Sequence, residues 1–190
     1  MNTRKKLYNM VLLALFVGLI FLLGQTPLGL IPLGFCNVTL LVIPVAVGTI
    51  YMGWKNGLVL GAAFAATSLV SALVKPSALV ATLMGASPLL TIVMTVFPRL
   101  CIPLVIAGVF HLLHQKQRHV AASVAAVCGS LTNTVLYLGL MLWFYTLCGI
   151  DNTTVLSTIG AVAGGAGPLE AIAAAIITPP ILGALWRVKK

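Results

Sequence analysis

The hydrophobic residues form long unbroken runs, separated by short segments that are polar or rich in glycine and proline. Six runs approach or exceed the about 20 residues that a helix needs to cross the hydrocarbon core of a bilayer. We place the predicted spans at residues 7–24, 38–53, 57–74, 88–114, 119–148 and 155–186. Runs such as Val11–Val17 show no alternation of apolar and polar residues, which argues against the strands of a transmembrane barrel. The pattern predicts an all-α integral membrane bundle of six transmembrane helices.

Composition supports the same class of protein. Of the 190 residues, 61% are hydrophobic and 7% are charged, and the mean hydropathy is +1.15, far from the range of soluble domains. Six spans with short connections use the whole sequence. We therefore expect one transmembrane domain over residues 1–190, with no room for a soluble catalytic or ATP-binding domain.

The net charge of +9 comes from basic residues near the ends of the spans. A cytoplasmic N-terminus would place nine of the eleven Lys and Arg residues inside: Arg4, Lys5, Lys6, Lys55, Lys116, Arg118, Arg187, Lys189 and Lys190. Only Lys75 and Arg99 fall elsewhere. The positive-inside rule then predicts cytoplasmic N- and C-termini and outer loops at residues 25–37, 75–87 and 149–156. This charge suits an anionic inner leaflet of the lipid bilayer, so we expect no nucleic-acid partner.

The cysteines and histidines give little sign of metal chemistry. His111 and His114 stand one helical turn apart, but with His119 they fit a polar flank of the membrane better than a metal site. The cysteines are scattered with no C-x-x-C spacing, which favours buried apolar side chains: Cys36, Cys101, Cys128 and Cys148. We expect no bound metal.

Two predicted spans carry small residues four apart, a spacing that lets helices approach closely in lipid. The first span has Ala14 and Gly18, and the third has Gly57, Gly61 and Ala65. Packing within the chain and contact with another subunit remain open for both.

Arg99 and Glu170 are the two strong candidates for function, because charges inside a membrane usually face a cavity or a partner. Arg99 follows a predicted helix interruption at Pro98. Glu170 lies in the first turn of a helix predicted to start at Pro168, after an irregular glycine-rich stretch over Gly164–Gly167. The two charges could neutralise each other. Alternatively, Arg99 binds an anionic or carbonyl-bearing ligand while Glu170 accepts hydrogen bonds from it.

The fifth span adds a polar cluster at Ser130–Thr134, which includes Thr132 and Asn133, and Tyr137 one turn further on. Asn133 suits the recognition of an amide or hydroxyl group in a dry pocket, although a hydrogen bond between helices would explain it equally well. Asn37, at the end of the first outer loop, could close such a pocket.

Catalytic constellations are missing. Asp151 and Glu170 are the only acids, so the chain has no intramembrane aspartate pair, no H-E-x-x-H, no G-x-S-x-G and no phosphate-binding glycine loop. We expect this chain not to be an enzyme.

Taken together, the sequence resembles the substrate-binding S components of energy-coupling factor (ECF) vitamin transporters. The resemblance covers nearly the whole chain and is carried by an ordered series of motifs: Pro32–Thr39, Gly53–Gly57, Phe97–Arg99, Thr132–Thr134 and Glu170. Two positions depart from the family pattern. Trp54 stands where a G-P-K turn would have proline, and the pair Ala14 and Gly18 replaces two alanines.

The resemblance implies a substrate-binding subunit in the bacterial plasma membrane that captures a vitamin near the outer surface. Its partners would be a transmembrane T component, which Ala14 and Gly18 would contact, and two cytoplasmic ATPases that use ATP and Mg. No cofactor is expected in this chain. The P-L-G-F-x-N-V-T and F-P-R runs are most similar to pantothenate-type members, with another vitamin or precursor as the alternative. A stand-alone channel or facilitator and a membrane scaffold are the competing classes.

Overall fold

The computed structural model describes residues 3–26, 30–32, 37–115 and 117–188. Eight α-helices, a short hairpin and a π-helical segment make up this part of the chain. In order they are α1 (Thr3–Gln25), β1 (Leu30–Pro32), β2 (Asn37–Thr39), α2 (Val42–Met52), α3 (Trp54–Val74), α4 (Ala78–Ala86), α5 (Pro88–Leu113), α6 (Arg118–Leu147), α7 (Thr153–Ala161), the π-helical segment Val162–Ala166 and α8 (Gly167–Val188). The strands β1 and β2 pair antiparallel.

The long helices have apolar residues on their outward faces as well as on their inward faces. Leu73, Val135 and Ile176 are each about two-thirds exposed on the isolated chain, at 65%, 66% and 66%. Helices that are apolar all round belong in lipid. Within the described residues, five stretches are long and apolar enough to cross a membrane: Leu7–Gln25, Trp54–Val74, Pro88–Leu113, Arg118–Leu147 and Thr153–Arg187. The predicted helical membrane bundle is confirmed, while the number of spans and their orientation stay predictions.

The second predicted span, residues 38–53, differs most from the structure. Its first residues form β2, and α2 has only 11 residues. At 1.5 Å per residue this helix is about 16 Å long, about half the thickness of the hydrocarbon core. It is nevertheless deeply buried, because α1, α3, α5 and α8 all pack around it. The apolar run 38–53 therefore consists of the end of strand β2 followed by a short helix in the core of the bundle.

The helix breaks predicted in the fourth and sixth spans are wrong, because the helical backbone continues through both positions. The helix α5 runs through Pro98 and Pro103. In the last span, α7, the π-helical segment and α8 follow one another directly, so the glycine-rich stretch is a wide helical turn and not an irregular loop. The predicted outer loop, residues 75–87, also contains the nine-residue helix α4, which the hydrophobic pattern did not predict.

The small residues of α3 pack within the chain. A Cβ atom on Gly61 would lie 2.6 Å from the carbonyl oxygen of Arg99, and one on Gly57 would lie 2.5 Å from the hydroxyl of Thr49. Glycine therefore allows α3 to approach α5 and α2 this closely. By contrast, Ala14 and Gly18 are exposed on α1, with no atom within 4 Å of a Cβ built on Gly18. This second pair leaves an open surface.

Candidate functional site

A cavity of about 100 Å³ lies between the ends of several helices. On the same measure one water needs roughly 10–15 Å³, so the space suits a small molecule. It is lined by residues of β2, α3, α4, α5, α6, α7, the π-helical segment and α8. The polar lining residues are Thr39, Ser68, Ser71, Lys75, Ser77, Thr95, Arg99, Asn133, Thr134, Tyr137, Thr158 and Glu170.

All these residues come from one end of the bundle. Most of them lie in the last two turns of α3 or just after it, in the first half of α5, in the second half of α6, and in the first turn of α8. Of the others, Thr39 ends β2, Ser77 precedes α4 and Thr158 belongs to α7. Lys55, Arg118 and Arg187 lie at the other ends of α3, α6 and α8. The cavity therefore lies away from the end of the bundle where Lys55, Arg118 and Arg187 are found.

Arg99 is buried at the cavity with 8% of its surface exposed. Its guanidinium carbon lies 5.4 Å from the ring centre of Phe64 and 4.6 Å from that of Tyr137, so two aromatic faces hold the cation. Its Nη1 donates to the carbonyl oxygen of Met94 over 3.5 Å. That carbonyl is available because Pro98, four residues later, has no N–H to donate.

Glu170 is equally buried, but its carboxylate is engaged by the hairpin. Its Oε1 accepts a hydrogen bond of 2.5 Å from the backbone N–H of Thr39. Glu170 and Arg99 line the same cavity, but in the described part of the chain no direct ion pair joins them. The contact ties α8 to β2 at the cavity, and it leaves the Arg99 guanidinium without a carboxylate in contact.

Several buried polar atoms at the cavity lack a hydrogen-bond partner within the described residues. They are Nε of Arg99, Oδ1 of Asn133 and Oγ1 of Thr39. A buried polar atom left unpaired typically costs about 1–3 kcal/mol, so a bound molecule or water is expected to complete these bonds. The hydrogen bond between helices that would explain Asn133 is therefore not made by its carbonyl oxygen.

The structure brings together four of the six predicted binding residues: Arg99, Asn133, Tyr137 and Glu170. Thr132 is not among the cavity residues. Its hydroxyl donates to the backbone carbonyl of Cys128 over 2.7 Å, and its neighbour Thr134 lines the cavity instead. The side chain of Asn37 lies outside the described residues.

The sequence interpretation missed Lys75 and the hydroxyl residues of α3 and α5 as part of the site. A signal for them exists, because Ser68, Ser71 and Lys75 are spaced three and four residues apart and so share one helix face. Thr95 stands one turn before Arg99 in the same way. Ser71 and Lys75 lie at the end of α3, where polar residues are ordinary, and this hid the pattern.

Comparison with known protein families shows to which family this chain belongs. The family model described as "ECF transporter, substrate-specific component" matches residues 8–182. No match was found among curated proteins. The match covers nearly all of the five stretches that are long and apolar enough to cross a membrane, leaving out Leu7 and the last residues of α8. It confirms the resemblance to the S components of ECF transporters, while the likeness to pantothenate-type members stays a prediction. The chain therefore belongs to the family of substrate-specific components of ECF transporters.

Proposed function

We propose that this chain is the vitamin-capturing subunit of an ECF importer in the bacterial plasma membrane, and that its ligand carries a carboxylate, with pantothenate as the leading candidate. Membership of the family implies substrate binding and association with a T component and ATPase subunits. The ligand and the residues that bind it are the finer points of the proposal.

The observation that carries the proposal is the state of Arg99. It is a buried cation at a cavity, with an unpartnered Nε and with the nearest acid engaged by the Thr39 backbone. An arginine remains charged in a protein, and its planar fork matches a carboxylate. A charge-assisted hydrogen bond inside the cavity would supply the missing partner.

The remaining lining suits a ligand with amide and hydroxyl groups. Asn133 offers a carbonyl oxygen without a partner among the described residues, and Thr134 and Ser71 add hydroxyls. Pantothenate combines a carboxylate, an amide and two hydroxyls, and the P-L-G-F-x-N-V-T and F-P-R runs resemble pantothenate-type members. Another vitamin with a carboxylate would also satisfy Arg99.

Direction and partners complete the proposal. With the N- and C-termini in the cytoplasm, the cavity faces the outside, where a nutrient is captured. The exposed pair Ala14 and Gly18 on α1 is the proposed contact with the T component, because a small-residue surface lets another helix approach closely. ATP hydrolysis takes place in the ATPases, and this chain itself is neither an enzyme nor a carrier of a cofactor.

Isothermal titration of the purified chain with a panel of vitamins tests the proposal. We expect saturable binding of a carboxylate vitamin with a Kd of about 1 µM or tighter. Arg99→Met should weaken it at least about 30-fold, since truncating one partner of a buried charge pair costs about 2 kcal/mol or more. Arg118→Met, at the other end of the bundle, is the matched control. A folded wild-type chain that binds no vitamin would contradict the proposal.

A stand-alone facilitator is the alternative within membrane transport. Liposomes that contain only this chain distinguish the two functions. We expect no flux of the bound vitamin without the T component and the ATPases. Flux through the chain alone would favour the facilitator.

A further inference from the structure

The cavity has a second cation, and this one is exposed. Lys75 directly follows α3, which ends at Val74, and it lines the cavity together with Arg99. These two residues are the only Lys or Arg that the charge pattern of the sequence left outside the cytoplasmic set. In the structure both line the same cavity, where Lys75 is exposed and Arg99 is buried.

We propose that Lys75 steers anionic ligands into the cavity by long-range attraction, before Arg99 binds them in its interior. This inference rests on the proposed function, because it requires a ligand with a negative charge. It assigns the two cations different tasks: Lys75 raises the association rate, and Arg99 holds the bound ligand.

The surrounding charges favour this division. The chain has two acidic residues, Asp151 and Glu170. Glu170 accepts from the Thr39 backbone, and both carboxylate oxygens of Asp151 accept hydrogen bonds from Thr153. Within the described residues no ion pair involves Lys75. Its positive field is therefore not cancelled by a carboxylate in contact.

The local environment also favours steering. An exposed ammonium on a flexible stem is strongly hydrated and gains little from a fixed contact. Two cations and one carboxylate line the cavity, and the carboxylate of Glu170 accepts from the Thr39 backbone N–H, so positive charge is in excess there. A cleft with an excess of one sign of charge and low-dielectric walls concentrates field lines and raises the association rate of the opposite charge. The hydrophobic residues Leu79 and Val80 of α4, which also line the cavity, provide such a wall.

The chain offers a matched control on the same helix. Lys55 is also exposed, but it lies at the first turn of α3. Twenty residues of helix separate it from Lys75, which corresponds to about 30 Å. Neutralising either lysine removes one positive charge from the molecule, and only Lys75 lies at the cavity.

Stopped-flow measurement of ligand binding, in a neutral detergent, tests the proposal. The probe is pantothenate or, if the titration identifies another one, the carboxylate vitamin that binds the wild-type chain. We expect Lys75→Gln to slow association about three- to fivefold at about 0.01 M ionic strength and to leave the dissociation rate unchanged. The difference should vanish near 1 M, where the Debye length falls to about 3 Å. Lys75→Arg and Lys55→Gln should both behave as wild type.

Three results would overturn the inference: an unchanged association rate in Lys75→Gln at low salt, a slowing that persists at 1 M, or a faster dissociation rate. The last of these would make Lys75 a contact of the bound ligand. Each of them leaves the proposed function standing if the wild-type chain binds the vitamin. A wild-type chain that binds no carboxylate vitamin would remove both the proposed function and this inference.

Discussion

Arg99 lies where three local features of the chain meet. Pro98 leaves the Met94 carbonyl free to accept from its guanidinium, Phe64 and Tyr137 contribute ring faces, and Gly61 allows α3 to approach its backbone carbonyl. The first two features restrict the side chain and the third positions its backbone, and none of them neutralises its charge. A guanidinium held in this way is preorganised for an anion, which lowers the entropic cost of binding one.

Thr134 and Thr132 allow a paired test at the residue scale. Thr134 lines the cavity, whereas the hydroxyl of Thr132 donates to the Cys128 carbonyl. Because a neutral hydrogen bond contributes about 0.5–1.5 kcal/mol, we expect Thr134→Ala to weaken vitamin binding about two- to tenfold, as measured by titration. Thr132→Ala should leave the affinity unchanged. An equal loss in both variants would show that the hydroxyls act through the helix and not through the cavity.

The residues of the site could be predicted to different degrees for physical reasons. Arg99, Asn133 and Glu170 stand out because a polar group within a long apolar run is costly and must have a partner. Thr132 and Thr134 are harder to separate, since both lie in the same polar cluster and which helix face meets the cavity depends on tertiary packing. Lys75 stands out in the sequence only as an exception to the charge pattern, and its position at the cavity depends on how α3 and α4 pack against the other helices.

At the scale of elements, the contact between α3 and α5 positions the site. A Cβ on Gly61 would lie 2.6 Å from the Arg99 carbonyl and 3.1 Å from a carbon of Pro103. The two helices would have to move apart to make room for it. The backbone of Arg99 would move with α5, so stability and binding should change together.

We therefore expect Gly61→Ala to destabilise the chain by about 1–3 kcal/mol, which is typical of overpacking, and to weaken vitamin binding. Gly108→Ala on α5 is the control, because no atom lies within 4 Å of its added methyl group and alanine favours the helix by about 1 kcal/mol over glycine. Thermal unfolding in detergent measures the stability of both variants, and titration measures their vitamin binding. A Gly61→Ala chain that unfolds at or above the wild-type temperature would contradict this view of the contact.

The sequence predicts an element well where an apolar run is long enough to form a helix in lipid. The predicted spans 57–74 and 119–148 match α3 and α6 closely, because apolar runs of this length form helices in lipid. The helix α4 and the hairpin are too short to leave a periodic signal. The predicted break at Pro98 was wrong because a neighbouring side chain can satisfy the carbonyl that proline frees.

For the whole molecule, the separation of charge between the two ends of the bundle predicts its orientation. Lys55 and Lys75 mark the opposite ends of α3. In a chain whose four cysteines have been replaced, we expect Lys75→Cys to react with a membrane-impermeant maleimide on intact cells. Lys55→Cys should react only after permeabilisation. The reverse pattern would place the cavity on the cytoplasmic side and remove the reason for capture from outside.

The most direct measurement compares pantothenate with its alcohol counterpart, in which CH₂OH replaces the carboxylate, on the wild-type chain and on Arg99→Met. The four dissociation constants form a cycle that isolates the interaction between the carboxylate and the guanidinium. We expect the wild-type chain to bind the alcohol at least about 30-fold more weakly and Arg99→Met to bind both compounds with similar low affinity. Equal binding of both compounds by the wild-type chain, or the same preference for the carboxylate in Arg99→Met, would contradict a carboxylate held by Arg99.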